Sequence, residues 1–285
     1  MIEISCGKDC AKITPKGAQL RSLILNGREL LWQEDPNTWA DSAPVLFPFI
    51  GRCCNDSYTY EGRTYSMDLH GFAWKRLFHV IEQTEMSCLL ELTDDAETFA
   101  NYPFSFRFQV AYILEENQLN VSFRIENCSE NPMPFALGWH PGFALEGPPE
   151  KYRICFPETT TAEEIRIVPK CMVTGEIDFF PMENRTIPLN REMFLHSARV
   201  YRGLGNTAIL ENLRGDEYVR MHYPGFSHTT LWQTLGSGAS FICIEPWLGL
   251  PCRSNKIEEL GQAFETLLNP GEIMLRKITV NSSGR

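Results

Sequence analysis

An all-β, many-stranded antiparallel fold is predicted for this 285-residue chain, on three observations. Long segments alternate apolar and polar residues with period two, 18 prolines and 20 glycines punctuate the whole length, and helical periodicity is thin. The clearest element pairs Phe104, Phe106, Phe108, Val110, Tyr112 and Leu114 with Leu119, Val121, Phe123 and Ile125 across the polar turn Glu115-Glu116-Asn117-Gln118. That is a hairpin pattern. A second hairpin spans Tyr58–Tyr65 and turns at Glu61-Gly62. Further strands are expected at Met86–Leu92, Tyr152–Phe156, Ala208–Leu213, Tyr218–His222, Thr229–Thr234 and Ile273–Val280. Short helical turns are expected at Asp94–Phe99 and Ile257–Phe264. With no linker, repeat or low-complexity block to divide it, residues 1–285 are expected to form one domain.

Composition narrows the function classes. Hydrophobic residues make up 43% and charged residues 22%, as in globular proteins with a sizeable core. The net charge of −10, with no dense Lys/Arg cluster, argues against nucleic acid or an anionic membrane as partner. No apolar run approaches the ~20 residues of a membrane span. Met1–Cys6 lacks the basic and apolar regions of a secretory signal, so a cytoplasmic setting with ten reduced cysteines is expected.

The segment Phe241-Ile242-Cys243-Ile244-Glu245-Pro246-Trp247 sets a carboxylate inside an apolar run. An ionised carboxyl there is costly unless something compensates or uses it. On a strand, Phe241, Cys243, Glu245 and Trp247 share a face. An acid beside an indole suits sugar recognition, the carboxylate bonding hydroxyls and the ring covering C–H faces. The alternative is a strand-end Glu that merely reaches the surface.

Three more polar residues sit in apolar settings: Arg52 after Pro44–Gly51, His70 in Leu69-His70-Gly71-Phe72, and His140 in Trp139-His140-Pro141-Gly142. Singly, each histidine also fits a structural role. Together with Glu245 they supply an acid, a base and a cation without a nucleophile, a set suited to proton transfer on a neutral polyol. Nucleotide, nucleophile-elbow and metal-ligand spacings are absent or unsupported; Gly203-Leu204-Gly205 lacks a surrounding βαβ unit.

Four motifs occur in order: Ala43–Arg52, Leu69–Ala73, His140–Phe143 and Cys243–Trp247. With Lys16–Leu23 near the start and Leu268–Glu272 near the end, they make the chain strongly resemble the aldose 1-epimerase (galactose mutarotase-like) family, in its LacX-like branch. The resemblance implies a large antiparallel β-sandwich holding a sugar on a concave sheet face. It matches Glu245 to the general base and His140 to the general acid, and Arg52 and His70 to sugar-binding positions. Trp247, Trp232 and Trp139 are expected to line the sugar. The implied activity is aldose 1-epimerisation, by a monomer or homodimer, with no cofactor and no metal. A sugar-phosphate mutarotase, with Lys75, Arg76 and Arg107 as candidate cations, and a non-catalytic sugar-binding protein are the alternatives. Trp74, where the branch carries Arg, and Trp139, where a small residue is usual, depart from the pattern.

Overall fold

The computed structural model describes residues 1–234, 240–262 and 266–283. Two large sheets dominate, and every pairing between their strands is antiparallel. The nine-stranded sheet is centred on Glu217–His222, Ile273–Asn281, Gln118–Asn127 and Phe106–Glu115. The other runs Met172–Pro181, Thr161–Val168, Arg199–Arg202, His228–Trp232, Phe241–Leu248, Leu137–Trp139 and Val45–Leu46, with Gly142–Ala144 also paired to Phe241–Leu248. A four-stranded meander, Ile2–Cys6 to Arg28–Glu29, precedes them.

Alternation builds the sandwich. In Phe106–Glu115 the even-numbered residues are buried, and in Gln118–Asn127 the odd-numbered ones are. Their apolar members and Ile242, Ile244 and Leu137 of the opposing sheet belong to one continuous apolar cluster. Phe47 ties the layers, its ring 5.2 Å from Phe106 and 4.8 Å from Phe108. Burying faces of this size supplies most of the favourable term in folding.

The predicted strands lie within about two residues of the observed ones, the usual uncertainty of strand ends. The Tyr58–Tyr65 hairpin turns at Glu61 and Gly62, both with positive φ, as a two-residue primed turn requires. A helix does form at Ala96–Asn101, where Asp95 and Thr98 make a reciprocal capping box. The helix expected over Ile257–Phe264 is not observed: Ile257–Gln262 is bridge and turn, anchored by Leu260 N–H to Thr59 O at 2.7 Å, and Ala263 and Phe264 lie outside the described residues. Tertiary pairing there overrides a short local propensity. No helix among the described residues is long and apolar enough to cross a membrane.

Candidate functional site

The site's floor is written into the register of one strand. Phe241–Leu248 is buried along its whole length. Ile242, Ile244 and Leu248 enter the main core, whereas Phe241 and Cys243 form a separate small cluster with Trp32, Trp39 and Trp232. Glu245 and Trp247 share the latter face by alternation.

Along one edge, Gly138 pairs with Trp247 and Gly142 pairs with Cys243. The register is the same on both sides of the gap between them, so His140 lies directly opposite Glu245. Prolines 141 and 246 fall inside that gap, where missing N–H groups interrupt the ladder. Cross-strand neighbours lie within side-chain reach. The result is His140 Nε2 at 3.3 Å from Glu245 Oε1. The second carboxylate oxygen accepts a hydrogen bond from Trp247 Nε1 at 3.1 Å.

Burial governs the electrostatics here. It holds the Glu245 carboxyl well above the usual carboxylate range, opposed only in part by the Trp247 hydrogen bond. It also pushes the His140 imidazole down to about 4. Both shifts favour neutral forms, because a dry pocket penalises charge. The Arg52 guanidinium bonds Asp56 at 2.8 Å, and Glu245 has an indole N–H beside it.

A pocket of about 570 Å³ opens above the pair, inside the roughly 300–1,000 Å³ range of small-molecule sites. Arg52, His70, Trp232 and Trp247 line it with His140 and Glu245. His70 Nδ1 accepts the Gly51 N–H at 3.0 Å, which leaves Nε2 to carry the proton of the neutral ring. Gly71, with φ of 72°, presses against Phe47, whose carbonyl oxygen would lie 2.4 Å from an added Cβ. Only glycine fits that approach.

Trp139 does not belong with these residues. It is fully buried in the main core, on the strand face opposite Gly138, and Gly138 points toward Leu46 and Trp247 of the pocket lining. Strand alternation that turns His140 into the pocket turns Trp139 away from it.

The walls hold residues that sequence reasoning missed. Trp39 stacks on Phe241 at 5.2 Å and stands 5.1 Å from the His140 ring. Asp41 is the other acid in the lining, within reach of Gln19 Nε2 at 3.2 Å. Cys171 and Lys170, on the tip between Thr161–Val168 and Met172–Pro181, and His196 complete one end. Burial pushes the Cys171 thiol up to about 12, with the Glu245 charge adding to it. Trp74, a departure from the family pattern, lines the pocket and donates from Nε1 to Leu69 O at 3.1 Å. No motif marks Trp39, Asp41 or Cys171; loops carry them. Ligand-type atoms of His140, Cys243 and Glu245 lie within 4.8 Å of one another, so the described group able to hold a metal overlaps the acid–base pair.

A two-sheet antiparallel sandwich with a buried carboxyl–imidazole pair under aromatic walls places the chain among galactose mutarotase-like all-β proteins. It superposes on a galactose mutarotase related enzyme from Lactobacillus acidophilus with a TM-score of 0.93, at 29% identity, covering 99% of this chain and 97% of the other. A galactose mutarotase-like protein from Lactobacillus casei gives 0.93 at 27% identity, covering 99% and 100%. The family description "Aldose 1-epimerase" matches residues 1–191, and the chromosomal protein LacX of Lactococcus lactis is 31% identical over 259 residues, 85% of each chain. The chain belongs to the aldose 1-epimerase family.

Proposed function

We propose that this chain, acting as one domain over residues 1–285, is an aldose 1-epimerase that interconverts the α and β anomers of an aldohexose. The observation that carries the proposal is the His140–Glu245 contact at 3.3 Å on the floor of an indole-walled pocket. In the assigned mechanism Glu245 takes the proton of the anomeric hydroxyl while His140 gives a proton to the ring oxygen. The bond from C1 to the ring oxygen breaks, leaving an aldehyde at C1 and a hydroxyl at the former ring position. Rotation about C1–C2 and reclosure, with both proton transfers reversed, delivers the other anomer.

The pair holds one proton throughout. Transfer across the 3.3 Å contact turns the neutral acid and imidazole into carboxylate plus imidazolium, and ring opening returns them to carboxylic acid plus imidazole, the neutral arrangement that burial favours. The protein environment thus stabilises the proton distribution reached on ring opening. Each positioned acid or base contributes typically ~10²–10⁴-fold. Neutral His70, presenting Nε2–H, and Arg52 orient hydroxyls, while Trp39, Trp232 and Trp247 cover C–H faces.

One observation favours a variant of this reading in which the sugar carries an anionic group. Lys170 and His196 are exposed at the rim of the pocket, and Lys170 has no acidic partner within 4.0 Å among the described residues. The cations that the sequence offers for that role are engaged elsewhere: Lys75 with Asp68, Arg76 with Asp95 and Glu97, Arg107 with Glu91 and Glu126. Exchange NMR across a panel of free aldohexoses and their 6-phosphates tests both forms. Accelerated α/β interconversion of a free hexose supports the first, and acceleration restricted to phosphates supports the second. Saccharide binding with no acceleration anywhere would replace both with a non-catalytic sugar-binding role.

A further inference from the structure

Behind the Arg52 wall, two of the ten cysteines meet in the protein interior. Cys53 and Cys252, separated by 199 positions in sequence, place their sulfur atoms 2.9 Å apart. Both are almost fully buried, at 3% and 2% exposure. All ten cysteines are free thiols, and among the described residues no other pair makes a sulfur–sulfur contact.

The backbone around the pair is fixed from three directions. The Cys53 carbonyl accepts the Asp56 N–H at 3.0 Å, within the same turn in which Asp56 bonds Arg52. The Cys252 carbonyl accepts the Val173 N–H at 3.0 Å, and the Cys171 carbonyl, two residues before Val173, accepts the Arg52 N–H at 2.9 Å. Gly51, with φ of 62°, sits so close that an added Cβ would lie 2.4 Å from Cys171 O and 2.7 Å from the Pro251 side chain. The sulfurs therefore meet between segments that are already locked together, and a covalent bond of about 2.05 Å requires only a short approach.

We propose that Cys53–Cys252 is a disulfide-forming modification site that clamps the Arg52 loop to the chain leaving the Glu245 strand. The oxidant class is a small peroxide able to enter the interior. One thiol reacts with hydrogen peroxide to give a sulfenic acid and water. The second thiol attacks that sulfur, forming the S–S bond and releasing a second water, so two thiols and one peroxide yield one disulfide and two waters. The mutual hydrogen bond, with burial adding to it, holds the Cys53 thiol well above its ordinary range, so the peroxide step is slow at neutral pH and speeds up as pH rises.

The proposal stands apart from the anomer chemistry, since neither mapping nor melting depends on a sugar. Native protein is treated with hydrogen peroxide, unfolded, alkylated and mapped by mass spectrometry. The expected result is one crosslink, Cys53–Cys252, with loss of two hydrogens, and a melting temperature raised by on the order of 5 °C or more that dithiothreitol reverses. Cys54→Ser should keep both effects and Cys252→Ser should lose both. Recovery of Cys53 and Cys252 as alkylated thiols would overturn it, as would a Cys54–Cys252 crosslink or a Cys53–Cys252 bond that lowers the melting temperature. The wild type alone, with and without reductant, separates these outcomes, so a variant that fails to fold leaves the test intact.

Discussion

The pocket's floor and its walls are built by different rules. The floor lies on adjacent strands, where register sets His140 against Glu245, with the Trp247 indole on the carboxylate. The walls come from loops: Trp39, Asp41, Arg52, His70, Lys170 and Cys171, held by turns, positive-φ residues and backbone hydrogen bonds such as Gly51 N–H to His70. The floor is buried and poor in charge, while the walls carry a partly exposed ion pair, Arg52–Asp56. In the proposed function the sheet fixes a proton-transfer distance and the loops set which sugar reaches it, so chemistry is assigned to the floor and selectivity to the walls.

This division yields expectations of decreasing size. His140→Gln should slow anomer exchange by about 10²–10⁴-fold, and the double change with Glu245→Gln should be no slower than the worse single, because the two act as a unit. Independent, multiplying losses would break the pairing. Trp139→Ala should cost about 3–5 kcal/mol of stability by denaturant unfolding, since its indole is fully buried in the core. Trp39→Ala should raise KM about tenfold with kcat little changed, the loss of about 1.4 kcal/mol of ring contact. If Trp139→Ala mainly raised KM and Trp39→Ala mainly unfolded the protein, the assignment of floor, wall and core would be reversed.

The smallest effect is in pH dependence. His140 has its pKa lowered in the fold, so the unfolded chain binds more protons between pH 6.5 and about 4; stability from this group is full above that window and falls as pH drops through it. His228, also pushed down to about 4 by burial, adds in the same direction. Glu245 has its pKa raised, so its contribution is present at low pH and is lost as pH rises. Glu245→Gln should therefore gain stability relative to wild type as pH rises, read by melting curves. A difference independent of pH would contradict the buried neutral carboxyl.

How much was legible in the sequence follows the same line. Period-two alternation exposed most strands of the nine-stranded sheet and the shared face of Glu245 and Trp247, because a sheet has only two sides, but it did not mark Thr161–Val168 or Met172–Pro181. Ordered motifs marked Arg52, His70 and His140, and the structure gathers them. Trp139, expected at the sugar, lies in the core instead, because strand alternation turns the neighbour of His140 to the opposite face. Trp39, Asp41 and Cys171 were invisible, since tertiary folding brings their loops to the pocket from remote positions.

The central claim is that Glu245 moves the anomeric proton. Exchange NMR on the aldose that wild type accelerates most, comparing wild type with Glu245→Gln at equal concentration, tests it most directly. The account predicts a loss of about 10²–10⁴-fold with the fold retained. A Glu245→Gln variant that exchanges anomers at a near-native rate would contradict it.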